Sequence, residues 1–189
     1  MDITYKLIAA VSHDGVVGIR ESLPWYVPSE LKHFKKLTVG HLVLMGRRTA
    51  MSLGKPLPSR NCIVLTHDTT AVASLKEMGF SVVFTSVEEM EATLRKFYKN
   101  PVVWVIGGPN IWRQFIGKCK EVHLSLIQTT VTTAENFADL VKFDPFTEIP
   151  MGDFKIVERI KYQIMTQCGK EVDLPWTYLR GVRKGYAYT

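Results

Sequence analysis

Three stretches hold residues whose type and spacing could do chemistry. The first is Leu23-Pro24-Trp25-Tyr26-Val27-Pro28-Ser29-Glu30-Leu31-Lys32-His33-Phe34. Proline fits the first helical position, where its fixed φ suits a helix and its missing N–H loses nothing, so a helix is expected from about Pro28. Offsets of four and then three place Glu30, Phe34 and Leu37 on one face, with Leu31 at its edge. A carboxylate turned toward apolar surroundings is rarely left without a partner. On this stretch alone Glu30 is either a ligand-binding acid or a rim residue with its head in water. The second stretch is an apolar run at 41–46 (HLVLMG), followed by Arg47-Arg48-Thr49 and a short helix at 49–53. Helix N–H groups beside two arginines suit a phosphate, although two solvated surface arginines would read the same way. The third is the run at 101–106 (PVVWVI), ending in Gly107-Gly108 before a helix at 110–117. It too aims N–H groups at an anion, but its spacing is not the GxGxxG dinucleotide fingerprint.

The elements that must position these residues follow from pattern. Apolar runs at 5–11, 41–46, 62–66, 80–84, 101–106 and 121–127 read as strands, several buried on both faces. Helices are expected at 28–39, at 67–78, and at 87–98, where Val87, Met90, Leu94 and Phe97 or Tyr98 form a core-packing stripe. Gly40 and Gly79 serve as helix stops. Residues 13–24 form a long loop, of the kind that serves as a lid, and 129–136 form a threonine-rich loop. Two antiparallel strands at 154–166 and 172–183 join near Gly169. The alternation predicts a single α/β domain over 1–189. Its sheet would be central, twisted and mostly parallel, with about eight strands, flanking helices and a C-terminal antiparallel hairpin. Ligands bind such sheets at the carboxyl ends of the strands, so Glu30, Arg47, Thr66 and Gly107-Gly108 are expected to converge at one edge.

Composition narrows the class. Hydrophobic residues make up 46% and charged residues 22%, as in a soluble globular protein. A net charge of +6 favours anionic partners. No dense Lys/Arg block is interleaved with aromatics, which argues against nucleic acid as a partner. Cys62, Cys119 and Cys168 show no CxxC spacing, so neither a disulfide framework nor a metal site is expected, and a cytoplasmic setting fits. The N-terminal residues read as a strand and not as a signal peptide, and no run is long enough to span a membrane.

Seven motifs now stand in order. They are Leu7-Ile8-Ala9-Ala10, Gly15-Val16-Val17-Gly18, Leu23-Pro24-Trp25, Glu30-Leu31 through Phe34, Met45-Gly46-Arg47-Arg48-Thr49, Leu57-Pro58-Ser59-Arg60-Asn61 and Val105-Ile106-Gly107-Gly108. In this order and spacing the sequence resembles the dihydrofolate reductase family from about residue 3 to 137. The resemblance implies NADPH-dependent reduction of 7,8-dihydrofolate to tetrahydrofolate, with hydride passing to pterin C6 and a proton to N5, in support of one-carbon metabolism and thymidylate synthesis. It implies a monomer that binds dihydrofolate and antifolate inhibitors.

Residue by residue, the resemblance makes Glu30 the acid that holds the pterin 2-amino group and N3, a fork-to-fork match. Leu23 and Trp25 share the catalytic segment. No second acid is expected beside Glu30, so proton delivery would rely on water near Glu30 and Trp25. Ile8, Ala9, Leu31, Phe34, Leu53, Leu57 and Ile106 would surround the substrate, Ser125 would bond the acid, and Arg60 would pair with the glutamate α-carboxylate. Ala10, Val17, Gly18 and Ile106 would line the nicotinamide. Gly46, Arg47, Arg48, Thr49, Gly107, Gly108, Pro109, Asn110 and Ile111 would meet the phosphates. Leu65, Thr66 and His67, with Arg48, would surround the adenosine 2′-phosphate, which predicts NADPH over NADH. The loop at 15–24 would be the lid that excludes water during transfer.

Some positions depart from the family. Trp112 replaces a tyrosine beside the nicotinamide, and Ser125 replaces a threonine. Thr132-Thr133-Ala134 lacks the Gly-Asp with which some bacterial members latch the lid, so the lid would cycle differently or stay closed. Pro109 follows the two glycines. Two other readings stay open: a related pterin or pyrimidine reductase on the same fold, and a protein that binds NADPH or folate without turnover.

Overall fold

A computed structural model describes residues 2–20, 22–133, 135, 137–164, 166–167, 170–171 and 173–186. Ala134 and Asn136 of the threonine-rich loop, Cys168, Gly169 and Val172 of the hairpin lie outside the described residues.

The strands and helices run in the order β1 (Thr4–Ser12), β2 (Val16–Ile19), α1 (Pro28–Thr38), β3 (Leu42–Gly46), α2 (Arg47–Leu53), β4 (Asn61–Leu65), α3 (Ala71–Glu77), β5 (Val82–Phe84), α4 (Val87–Phe97), β6 (Val102–Gly107), α5 (Pro109–Phe115), β7 (Cys119–Ile127), β8 (Leu140–Lys142), α6 (Pro145–Glu148), β9 (Phe154–Tyr162), β10 (Thr166–Gln167), β11 (Lys170–Glu171) and β12 (Trp176–Arg183). Eight strands form one sheet in the order β5-β4-β3-β6-β1-β7-β12-β9. β3 pairs in parallel with β4 and β6, β4 with β5, and β1 with β6, while β12 runs antiparallel to both β7 and β9. This is the α/β class with a mostly parallel sheet and a C-terminal antiparallel hairpin. Among the described residues no helix is long and apolar enough to cross a membrane.

The chain divides into two compact units. One comprises Met1–Leu7 and Thr38–Cys119. Its β3 residues Leu42, Val43, Leu44 and Met45 are all buried. A strand covered on both faces by parallel neighbours and helices reads as a continuous apolar run, and burying each such side chain contributes about 1.5–3 kcal/mol. The other unit comprises Ile8–Leu37 and Lys120–Thr189. Val27, Ile127, Trp176 and Tyr178 form a buried cluster there, with Trp25, Leu37, Tyr162 and Leu174 packed against it. Tyr162 stacks on Trp176 with centroids 4.0 Å apart.

Four expectations change. Residues 13–24 are not all loop, because Val16–Ile19 forms β2 and pairs with β8. The helix expected from residue 67 starts only at Ala71. Asp68 accepts the Thr70 N–H at 3.1 Å and the Thr70 hydroxyl at 2.5 Å, closing a side-chain turn that competes with the helix. Arg47 and Arg48 lie inside the first turn of α2 and not ahead of it. The α4 stripe buries Met90 and Leu94 but leaves Phe97 and Tyr98 exposed, because the helix ends at Phe97 and Tyr98 is already extended.

Candidate active site

In the second unit, α1 carries the acid. The carbonyl of Val27 accepts the Leu31 N–H at 3.1 Å, and Pro28 takes the first helical position. Glu30 follows two residues later and is only 5% exposed, while Leu31 at the edge of the same face is exposed. The Ser125 hydroxyl on β7 donates to the Glu30 carboxylate. Burial raises the Glu30 pKa, the Ser125 bond opposes this, and the charge of Asp173 adds to the rise. Among the described residues, the groups that bear on Glu30 are the neutral Ser125 and the acidic Asp173. The expectation that no second acid stands beside it is therefore corrected. Asp173 is buried, and its Oδ2 accepts the Ser29 N–H at 3.1 Å, an end-of-helix donor that no intrahelical carbonyl can satisfy. The Trp25 indole N–H is buried without a partner among the described residues, a donor left open close in sequence to Glu30. Ile8 and Ala9 of β1 are buried, Phe34 is half-buried, and Leu23 is exposed.

The loop before β2 is tied down. Asp14 Oδ2 accepts the Thr132 N–H at 2.7 Å, both carboxylate oxygens accept the Val131 N–H at 3.2 Å, and the Ser12 hydroxyl donates to Oδ1 at 2.6 Å. The His13 N–H donates to Thr129 O at 3.0 Å. Burial alone would raise the Asp14 pKa, but the bonds from Ser12, Thr132 and Val131 outweigh it and hold the carboxyl well below the usual aspartate range. The acid stands on the lid side, and the loop supplies backbone donors. Val17 and Gly18, on β2 beyond this latch, are buried.

In the first unit, three strand ends meet. Gly46 ends β3 opposite Leu65 of β4, and Met45 pairs with Gly107 of β6. A Cβ on Gly46 would lie 2.9 Å from Ile111 Cγ1, and one on Gly107 would lie 2.7 Å from the Trp112 ring. One on Gly108 would lie 3.5 Å from the Thr49 hydroxyl. At Gly46 and Gly107 a side chain would force its neighbour to shift, whereas one on Gly108 would make an ordinary contact, and Gly107 also has φ +118°. α2 and α5 begin directly after these glycines with no side-chain cap, and Pro109 takes the first position of α5, which accounts for a proline there. A backbone cradle that a Cβ at Gly46 or Gly107 would fill, with uncapped N–H groups, fits a pyrophosphate. Trp112 gives its indole N–H to Val105 O at 3.2 Å, so its ring supports Gly107 and its polar atom faces the strand.

The two arginines differ. Arg47 Nε lies 3.7 Å from Asp68 Oδ2 and its guanidinium contacts Met51, whereas Arg48 is exposed with no partner among the described residues. Thr66 is buried and its hydroxyl accepts the Asp68 N–H at 3.1 Å, while His67 is exposed. Leu65 is buried, Leu57 is half-buried and Leu53 exposed. Arg60 donates to Pro58 O at 3.0 Å and to the Thr38 hydroxyl at 3.2 Å. Gly46, Thr49, Thr66, Gly107, Gly108 and Ile111 are therefore gathered at one set of strand ends, and Glu30 belongs to the other unit. A cleft of ≈ 290 Å³ in the first unit, bounded by Phe80, Leu94 and Phe97, takes in Arg60 and none of the other residues expected to meet substrate or cofactor.

The comparisons with known proteins agree with this arrangement. The family described as Dihydrofolate reductase matches residues 4–176. The dihydrofolate reductases of Staphylococcus aureus strains Mu50 and MRSA252 are each 30% identical over 183 residues, covering 96% of this chain and 99% of theirs. A solved structure, the dihydrofolate reductase from Enterococcus faecalis complexed with NADP(H) and RAB-propyl, shares the fold with a TM-score of 0.76 at 27% identity over 96% of both chains. Fold and site together define an α/β oxidoreductase that takes a nicotinamide nucleotide. More particularly, the chain belongs to the dihydrofolate reductase family, and its reaction is the NADPH-dependent reduction of 7,8-dihydrofolate.

Proposed function

We propose that Glu30 anchors the pterin through its 2-amino and N3 edge, and that the residues around the three glycine-ended strands hold the cofactor. The observation that carries this reading is the burial of Glu30 with a neutral hydroxyl and, among the described residues, no cation bearing on it, which leaves the acid for a ligand's paired donors. NADPH, when bound, supplies the hydride for pterin C6. Ser125 keeps Glu30 oriented, and the open Trp25 N–H and Glu30 together order the water that brings a proton to N5. Leu23, Ile8, Ala9, Leu31 and Phe34 shape the pterin side, with Leu53, Leu57 and Ile106, and Arg60 takes the substrate's terminal carboxylate. Ala10, Val17 and Gly18 border the nicotinamide, and the β2 segment acts as the lid.

In the cofactor part, the N–H groups after Gly46 and those of Gly108 and Asn110, with Thr49, receive the phosphates, while the Ile111 N–H is held by Gly108 O at 2.9 Å. Arg48, which has no partner among the described residues, is the cation for the 2′-phosphate, beside Leu65, Thr66 and His67, while Arg47 is engaged by Asp68. Trp112 supports this cradle and does not offer a polar group to the nicotinamide. Inhibitors of the antifolate type would compete at Glu30; the Enterococcus faecalis relative is complexed with RAB-propyl beside NADP(H). The protein would work as a cytoplasmic monomer with no nucleic-acid partner. The test is nicotinamide absorbance with NADPH and dihydrofolate together and each alone. Oxidation only with both present is expected, and oxidation of NADPH without dihydrofolate, or none at all, would overturn the reading.

A further inference from the structure

Ser29 and Glu30 are adjacent in the first turn of α1, and the strand β12 side of the second unit reaches both. The Trp176 indole N–H donates to the Ser29 hydroxyl at 2.7 Å, and Asp173 Oδ2 accepts the Ser29 N–H at 3.1 Å. β12 in turn pairs with β7, setting Tyr178 opposite Ser125, the residue that bonds Glu30. Asp173 is 7% exposed, and its second oxygen, Oδ1, is buried with no hydrogen-bond partner among the described residues. A buried carboxylate oxygen left unpaired is costly, and such atoms call for an explanation. One oxygen of Asp173 explains the helix start. The other is not explained by the fold.

We propose that Asp173 is a positioning residue for the reaction, a second buried carboxylate that pins the turn carrying Glu30 and, by its place beside that turn, bears on the charge that Glu30 carries. Two like charges held close in a dry site cannot both be present at full strength, so the proton stays on Glu30 to higher pH. The structure is consistent with this, because Asp173 acts on Glu30 in the same direction as burial. Lys32 and Lys35 of α1 are exposed. The other charged groups around α1 are His33 and Lys36 on the helix itself, Glu121 and His123 on β7, Arg180 on β12 and Glu158 on β9. These bear on His33 and on one another: His123 Nδ1 lies 2.7 Å from the Tyr178 hydroxyl, and both His123 Nε2 (3.1 Å) and Arg180 Nε (2.8 Å) meet Glu121. Among the described residues, Asp173 is the charged group that bears on Glu30. Burial and Asp173 both raise the Glu30 pKa, so a pterin that arrives with its own donors meets a carboxyl whose ionisation Asp173 has delayed.

The inference rests on Glu30 being the pterin acid, and its test does not depend on turnover. In the ligand-free full-length protein, the Glu30 side-chain carboxyl carbon is followed by NMR as pH is raised, in wild type and in Asp173→Asn. Asparagine can still accept the Ser29 N–H but carries no charge. The Glu30 midpoint is expected to fall by about one pH unit in the variant. The alkaline limb of kcat/KM for dihydrofolate should move the same way, with NADPH affinity unchanged. An unmoved Glu30 midpoint in a folded variant would overturn the proposal, and lowered activity with an unmoved midpoint would make Asp173 merely structural. If Asp173→Asn does not fold, Asp173→Ser, whose hydroxyl can cap the same N–H, gives the same reading. A shifted midpoint in a protein that never oxidises NADPH with dihydrofolate would keep the carboxyl pairing and reject the reaction.

Discussion

Asp14 accepts the Thr132 N–H at 2.7 Å, a charged bond that joins the start of the lid to a loop more than a hundred residues away. The same carboxylate takes the Val131 N–H, so two adjacent backbone donors depend on one side chain. Hydrogen bonds to a charged group are worth about 1.5–3 kcal/mol each. Asp14→Ala should therefore speed amide exchange at Val131 and Thr132 by roughly tenfold or more, with far less change at buried β3 amides. Unchanged exchange would mean that the β2–β8 pairing alone holds the lid.

The pH dependence of this latch has a definite sign. Hydrogen bonds from Ser12, Thr132 and Val131 outweigh burial and lower the Asp14 pKa. A depressed folded pKa contributes stability that is fully present above the unfolded value of about 3.9, and is lost as pH falls through the folded value. Protection at Val131 and Thr132, corrected for intrinsic exchange, should stay flat from neutral pH to about 4. Loss of protection between pH 5 and 6 would contradict the strength of these bonds.

Much of this was legible because its signals are local. Pro28 announces α1, the glycines at 46, 107 and 108 announce the cradle, and the offsets from Glu30 to Phe34 and Leu37 announce the face. The Asp173 bond to Ser29 spans 144 positions, and its acceptor stands in an irregular stretch with no periodicity to read. The Asp14 latch was invisible for a different reason: its partners are backbone N–H groups, which every residue but proline owns. β2 and β8, at four and three residues, are too short for an alternation to show. Arg47 and Arg48 could not be told apart until Asp68 was seen to claim one of them.

That distinction makes a cofactor prediction. Arg48 has no partner among the described residues, so Arg48→Ala should weaken NADPH roughly tenfold or more and NADH only slightly, since a charge-assisted contact to phosphate is lost only with NADPH. Arg47→Ala should affect both cofactors alike, through the Asp68 turn. Equal losses of NADPH and NADH in Arg48→Ala would remove it from the 2′-phosphate.

Gly107 answers to sterics. A methyl there would stand 2.7 Å from the Trp112 ring, on a backbone at φ +118° that other residues rarely adopt. Such backbone strain alone costs about 1–3 kcal/mol. Gly107→Ala should lower stability in urea by more than about 2 kcal/mol and abolish NADPH binding. Trp112→Ala in the same chain should recover part of the stability, because the clash partner is gone, while removing the Val105 bond. Full additivity of the two substitutions would show that strain, and not the ring, sets the cost.

Glu30 sets activity against stability. Burial, reinforced by Asp173, raises its pKa, although the Ser125 bond opposes the rise. For an acid with a raised folded pKa, the native state holds more protons than the unfolded chain between the two values. Stability therefore falls as pH climbs from the unfolded value of about 4.3 through the folded one, and stays lowered above it. Glu30→Gln keeps the shape and never ionises. It should be more stable than wild type at neutral pH, by on the order of 1 kcal/mol, with the gain vanishing near pH 4, where both side chains are neutral. The same variant should bind NADPH nearly normally and turn over dihydrofolate very slowly at neutral pH. Denaturant titrations at several pH values, beside the turnover assay, check both halves. A variant destabilised equally at every pH would show that the Glu30 charge costs the fold nothing. A variant with undiminished turnover would take Glu30 out of the reaction.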